Sequence, residues 1–141
     1  MIQSRLRTVN GTTWRAELDS EQARLLDCPI AIEISTRAVP DDSPVPEISD
    51  AESRLADIVL RGLDKCVSQC EGLLDADPTI GHCRINNDAR VVNPHIWIDR
   101  EMMTEDGPTR WAMVLGVDEN PDFGWHIEFD ELDALEIWAG D

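Results

Sequence analysis

Two stretches near the C-terminus decide the fold: Arg110-Trp111-Ala112-Met113-Val114-Leu115-Gly116-Val117 and Phe123-Gly124-Trp125-His126-Ile127-Glu128-Phe129. Trp111, Met113, Leu115 and Val117 alternate with smaller residues, and Phe123, Trp125, Ile127 and Phe129 do the same. A period of two places each set on one face of a strand, and a face this apolar must be covered. Strands at about 91–99 and 134–139 complete an antiparallel meander of four. Gly107-Pro108, Asn120-Pro121 and Asp130-Glu131 fall in its loops.

The cover is expected from the preceding segment. Ser49-Asp50-Ala51-Glu52 is a capping box, and Leu55, Val59, Leu63, Cys66, Cys70 and Leu73 recur at three- and four-residue spacing after it. One long helix to about Ala76 is predicted, with Gly62 and Gly72 as weak points and Pro78 as its stop.

Further out, strands around Ile2 to Val9 and Thr13 to Leu18 form a hairpin. A three-residue loop, Asn10-Gly11-Thr12, pairs Thr8 with Trp14 and keeps apolar side chains together. Asp19 and Gln22 suggest a short helix to about Leu26, and Ile30 to Ser35 reads as a strand. Residues 39–48 carry three prolines and form a connection. The expected architecture is a single α+β domain over 1–141: an antiparallel sheet of N-terminal hairpin, one further strand and C-terminal meander, packed on one long helix.

The chain has 141 residues, with 29 acidic against 12 basic side chains and a formal charge of −17. Such a field repels phosphate, so nucleic acid and anionic membranes are excluded as partners. Five tryptophans and 42% hydrophobic residues argue for a folded core rather than disorder. No apolar run reaches the length of a signal peptide or a membrane span, which sets the expected compartment as the cytoplasm. The charge is uneven: residues 1–40 balance at zero, 41–80 carry −7, 81–100 carry +1, and 101–141 carry −11.

The face of the meander opposite its apolar side holds the candidate site. The same alternation places His95 and Trp97, His126 and Glu128, and Glu136 and Trp138 there, beside Ala112 and Val114. A histidine next to a glutamate can do acid/base work, so His95, His126 and Glu128 are the catalytic candidates. Aromatic and histidine side chains with a few polar groups equally suit a binding surface: Trp97, His126, Glu128, Glu136, Trp138, and the acidic-loop residues Asp118 and Asp122. The third account has the hairpin covering this face, which makes Trp97 and Trp138 a second small core.

Cys66 and Cys70, one helical turn apart, could join His82 and Cys83 around a metal, but they fall on the core stripe, where buried cysteine is common. Asp118, Asn120 and Asp122 imitate the start of a calcium loop. Phe123 then stands at its sixth position and Phe129 at its twelfth, where glycine and glutamate are needed. No cofactor or metal is assigned, and no phosphate loop, nucleophile elbow or dinucleotide fingerprint is present.

The pattern from Pro94 to Asp141 resembles small bacterial domains of unknown function found among immunity proteins of polymorphic toxin systems. The likeness rests on Ile96-Trp97-Ile98, Arg110 to Leu115, the acidic turn, Phe123 to Phe129, and Glu136-Ile137-Trp138-Ala139-Gly140-Asp141. The resemblance implies an α+β domain without catalytic machinery that acts by binding another protein. The expected function is therefore a non-enzymatic acidic interaction domain with a protein partner, a basic one first; the alternative is a small-ligand or metal-dependent enzyme using His95, His126 and Glu128. An exposed edge strand would also permit a homodimer.

Overall fold

A computed structural model of the chain describes residues 5–10, 13–18, 21, 23–36, 46–76, 91–117 and 120–140, with backbone only at Asn10, Val117 and 120–123. Nine strands and three helices occur among them. The strands are β1 (Arg7–Asn10), β2 (Thr13–Glu17), β3 (Arg24–Leu25), β4 (Cys28–Pro29), β5 (Ala31–Ser35), β6 (Val91–Asp99), β7 (Arg110–Val117), β8 (Asn120–Asp130) and β9 (Asp133–Gly140). The helices are α1 (Asp50–Arg61), α2 (Leu63–Ala76) and α3 (Arg100–Asp106).

Seven strands form one sheet in the order β1-β2-β5-β6-β7-β8-β9, and β3 and β4 pair separately. The α+β class and the four-strand meander hold. The sheet is not purely antiparallel, however, because β5 and β6 run parallel, Ile32 beside Ile96 and Ile34 beside Ile98. A parallel pair needs a long crossover, which is what places the helical segment between these strands in sequence. The hairpin register is the expected one along the strands, with Thr8 opposite Trp14 and Arg7 opposite Arg15. Asn10, however, belongs to β1 and faces Thr13, so a bulge between Thr8 and Asn10 takes up the residue assigned to a three-residue loop.

The helical layer corrects one expectation. The predicted single helix is two, α1 and α2, separated at Gly62 (φ −107°, ψ 21°). The break is a kink and not a loop: the Gly62 N–H still donates to Ile58 O, and the Cys66 N–H donates to Gly62 O, both at 3.2 Å. The capping box is present, with the Ser49 hydroxyl accepting from the Glu52 N–H and the Glu52 carboxylate from the Ser49 N–H.

Asp19 and Gln22, the expected start of a short helix, lie outside the described residues, and at its expected end, Leu26, the chain forms the β3–β4 hairpin. Ala23 and Leu25 alternate into the core, and Leu26 and Asp27 take positive φ (47° and 68°) in the two-residue turn. The Leu26 N–H is satisfied by the Glu71 carboxylate of α2 at 3.0 Å. The sequence reading also missed α3, which Asp99 caps by accepting from the Glu101 and Met102 N–H groups.

One apolar cluster joins the sheet to the helices. Ile32, Ile34, Ile96, Ile98, Met113, Ile127 and Phe129 are fully buried against Leu55, Val59, Cys66, Cys70 and Leu74. Each such side chain contributes about 1.5–3 kcal/mol of burial free energy. Trp111 stacks on Phe129 with centroids 4.4 Å apart and donates its indole N–H to Glu131 O at 2.7 Å. Gln69 of α2 pins the β8–β9 turn with both ends of its amide, donating to Leu132 O (2.7 Å) and accepting from the Ala134 N–H (2.9 Å).

At the other end of the crossover, Arg100 meets the buried carboxylate of Glu52 through Nε (2.8 Å) and Nη2 (2.7 Å), a two-nitrogen clasp. Among the described residues, no helix is long and apolar enough to cross a membrane.

Candidate functional site

The helices cover one face of the sheet, and strand alternation sends the other side chains to the opposite face. Register sorts these into transverse rows. Arg7, Arg15, Glu33, Trp97, Ala112, Glu128 and Glu136 form one row across all seven strands. Glu17, Ala31, His95, Val114, His126 and Trp138 form the next. The expected grouping of His95, Trp97, His126, Glu128, Glu136 and Trp138 on one surface is thus the arrangement that the strand pairing produces.

The account in which the N-terminal hairpin covers this face does not hold. β1 and β2 are members of the same sheet and extend the face sideways, with Arg15 joined to Glu33 across β2 and β5. Trp138 accordingly stays 44% exposed.

The side chains on β7–β9 form a connected unit. Arg110 Nη2 donates to Glu128 Oε1 at 3.0 Å, and Trp138 Nε1 donates to Glu128 Oε2 at 2.7 Å, so both carboxylate oxygens are occupied. The Trp138 indole lies flat on His126, with centroids 3.9 Å apart and planes 5° from parallel. The facing pair Gly124 and Gly140 lies beside the two rings: a Cβ on Gly124 would lie 3.4 Å from His126 Nε2 and one on Gly140 3.6 Å from the indole, both ordinary van der Waals contacts. Burial lowers the His126 pKa from its ordinary value, with His95 adding to the effect and Glu128 opposing it. The ring is therefore neutral at pH 7 and stacks as an uncharged imidazole.

His95 is set apart from this unit. It lies across Val114 from His126, which puts two strand spacings, roughly 10 Å, between their backbones. Its Nδ1–H donates to the Asn93 carbonyl at 2.9 Å, at a bulge of β6 where Asn93 takes φ 50°, and its ring edge meets Trp97. The three catalytic candidates thus share a face without converging: His95 bonds to the Asn93 carbonyl, Glu128 holds Arg110 and Trp138, and His126 stacks on Trp138.

Arg110 was not singled out from the sequence, although the alternation that put Ala112 and Val114 on this face places Arg110 there as well. Diagonal reach to Glu128 was the signal that could have found it. Glu52 was read only as a capping residue, and its pairing with Arg100 depends on the crossover, which no local pattern marks.

Cys66 and Cys70 are fully buried in the core. Burial pushes the Cys66 thiol up to about 11 and the Cys70 thiol higher still, so both are protonated at neutral pH. His82 and Cys83 lie outside the described residues, as does Asp118, and of Asp122 only the backbone is described. Among the described residues, no group of three or more His, Cys, Asp or Glu side chains is placed to hold a metal ion.

A cleft of about 410 Å³ lies elsewhere, lined by Ser49, Ala51, Glu52, Arg100, Met103, Thr104 and Pro108. Its two charged residues neutralise each other, and it includes none of His95, His126 and Glu128. No protein-family model, curated protein or solved structure matches the chain.

Proposed function

We propose that this chain is a non-enzymatic interaction domain that binds a basic protein partner through the β8–β9 end of the open face, in the manner of the immunity proteins its C-terminal third resembles. The observation that carries this reading is the engagement of Glu128. One oxygen holds Arg110 and the other holds the indole of Trp138, whose ring also rests on His126. General-base use of Glu128 would require both contacts to break. As they stand, they fix a large aromatic ring in one orientation at the surface, and a rigid anchor of this kind loses little entropy on binding.

Charge supports a basic partner. Residues 101–141 hold twelve acids and the single base Arg110, and Asp130, Glu131, Asp133 and Glu136 around the β8–β9 turn are all exposed. Such a field speeds association with a positively charged surface and makes it salt-sensitive.

The test is calorimetry of this chain with the protein encoded by its neighbouring gene, at low and high salt. A stoichiometric complex that weakens with salt, and that Trp138→Ala loosens roughly tenfold or more, is the expected result. A neighbour that performs an unrelated metabolic step and does not bind overturns the reading.

A further inference from the structure

Three large apolar side chains are exposed among the described residues: Val9, Leu135 and Trp138. All three lie on the two edge strands of the sheet, β1 and β9. An edge strand presents unpaired backbone groups, and proteins protect such edges with bulges and charges. On β9 a bulge falls at Leu135, because Glu128 faces Glu136 while the adjacent Phe129 faces Ala134. Beyond the bulge, Glu136–Gly140 pairs regularly with β8, and among the described residues no strand pairs with its outer edge.

The charge on this edge is unbalanced in a specific way. Glu136 stands directly opposite Glu128, and like charges in that position repel. Arg110 pairs with Glu128 and only partly offsets this, whereas Glu136 is exposed and has no hydrogen-bond or ion-pair partner among the described residues. A cation arriving on the outer side of β9 would relieve the repulsion. Trp138, two residues on and on the same face, would lie beside the next-but-one residue of an added strand, and an indole accepts either an apolar or a cationic neighbour.

Taking as its basis the reading that the partner is a basic protein, we propose that β9 takes an extended basic segment of that partner as an eighth strand along Glu136–Gly140, with Lys or Arg beside Glu136 and an apolar or basic side chain on Trp138. Backbone hydrogen bonds would supply affinity, and the alternate positions would supply specificity. Charge complementarity selects this occupant. Pairing Glu136–Gly140 with the same segment of a second copy would offer Glu136 no cation, since β9 contains no basic residue.

The probes are three synthetic eight-residue peptides: alternating Lys and Val, the same with Glu for Lys, and the Lys-Val peptide interrupted by a central proline. Amide hydrogen exchange of the full chain is followed with each. The Lys-Val peptide is expected to slow exchange in Glu136–Gly140, and the other two are not. Glu136→Gln should weaken the peptide roughly two- to fivefold, the size of an exposed ion pair, while raising the melting temperature because the repulsion is gone.

The proposal is overturned if the Lys-Val peptide fails to bind, if it binds without protecting β9, or if the free chain self-associates through β9. The neighbour-encoded protein separates the two readings: binding that leaves the β9 amides unprotected ends the strand-addition proposal and preserves the interaction domain. Absence of any binding ends both.

Discussion

Leu132 occupies the space that a side chain at residue 62 would need: a Cβ on Gly62 would lie 2.5 Å from one Leu132 methyl carbon and 2.6 Å from the other. In an isolated helix, alanine in place of glycine is worth about 1 kcal/mol, and φ −107° imposes no strain on it. Here the turn between β8 and β9 has moved into the gap. Gly62→Ala is therefore expected to destabilise the chain by about 1–3 kcal/mol through overpacking. Leu132→Ala in the same chain should return much of that loss. Urea unfolding of the two single variants and the double variant measures the coupling, and additive effects would show that the two positions do not press on each other.

Breaking the clasp between Glu52 and Arg100 should cost more. Glu52 is 1% exposed, and Arg100→Ala would leave its carboxylate buried and unpaired. About 2–3 kcal/mol is expected, below the full figure for buried pairs because the Arg100 side chain is 31% exposed.

The same contact sets an acid response. Burial alone would raise the Glu52 pKa, but hydrogen bonds from Arg100 and from the Ser49 backbone outweigh it and hold the group below its ordinary value. The unfolded chain thus protonates at Glu52 first. The stabilisation is complete above the ordinary carboxylate pKa of about 4.3 and is lost as pH falls through the lower folded value. Glu52→Gln should flatten that part of the stability curve, and an unchanged slope would contradict the assignment.

His126 gives a second, separate pH response. Its folded pKa is lowered, chiefly by burial, so the unfolded chain takes up a proton first as pH falls through about 6.5. Stability should decline from there down to the folded value, and His126→Gln should remove this slope. In an assigned NMR titration the His126 midpoint is expected below that of a free histidine. A midpoint at or above it would mean that the ring stacks on Trp138 as a cation.

The thiols provide a fifth prediction. In a Cys28→Ser, Cys83→Ser background, Cys66 and Cys70 should resist a thiol reagent at neutral pH, because both are buried and protonated. They should react at the rate of unfolding once denaturant is added. Rapid labelling of the native chain would show that the core opens locally at α2.

What the sequence revealed followed the range of the interaction. Alternation in Trp111–Leu115 and Trp125–Phe129 is a local property of one strand, and it led directly to the meander, its covered face and the side chains sharing the other face. The Ser49–Glu52 capping box is local too. Gly62 was visible as a weak point in the helix, but Leu132, seventy positions away, determines what its missing side chain is for. At residues 23–26 the β3–β4 hairpin stands in place of the expected helix end, because Ala23 and Leu25 had only two core positions to fill, and a period of two fits those as well as a helical turn does. Arg100 and Glu52 meet only because β6 lies parallel to β5, and no residue in either strand announces that choice.

That parallel seam has a consequence for the order in which the chain assembles. β6 through β9 pair with one another strictly in chain order, so this half can form by closing short loops one after another. Joining β5 to β6 instead demands that Ala31 find His95 across more than sixty intervening residues, a late and entropically expensive closure. The unit of Glu128, Trp138 and His126 on β8 and β9 therefore belongs to the half with local pairings, and its pairings can be complete while the seam that unites the sheet is still open.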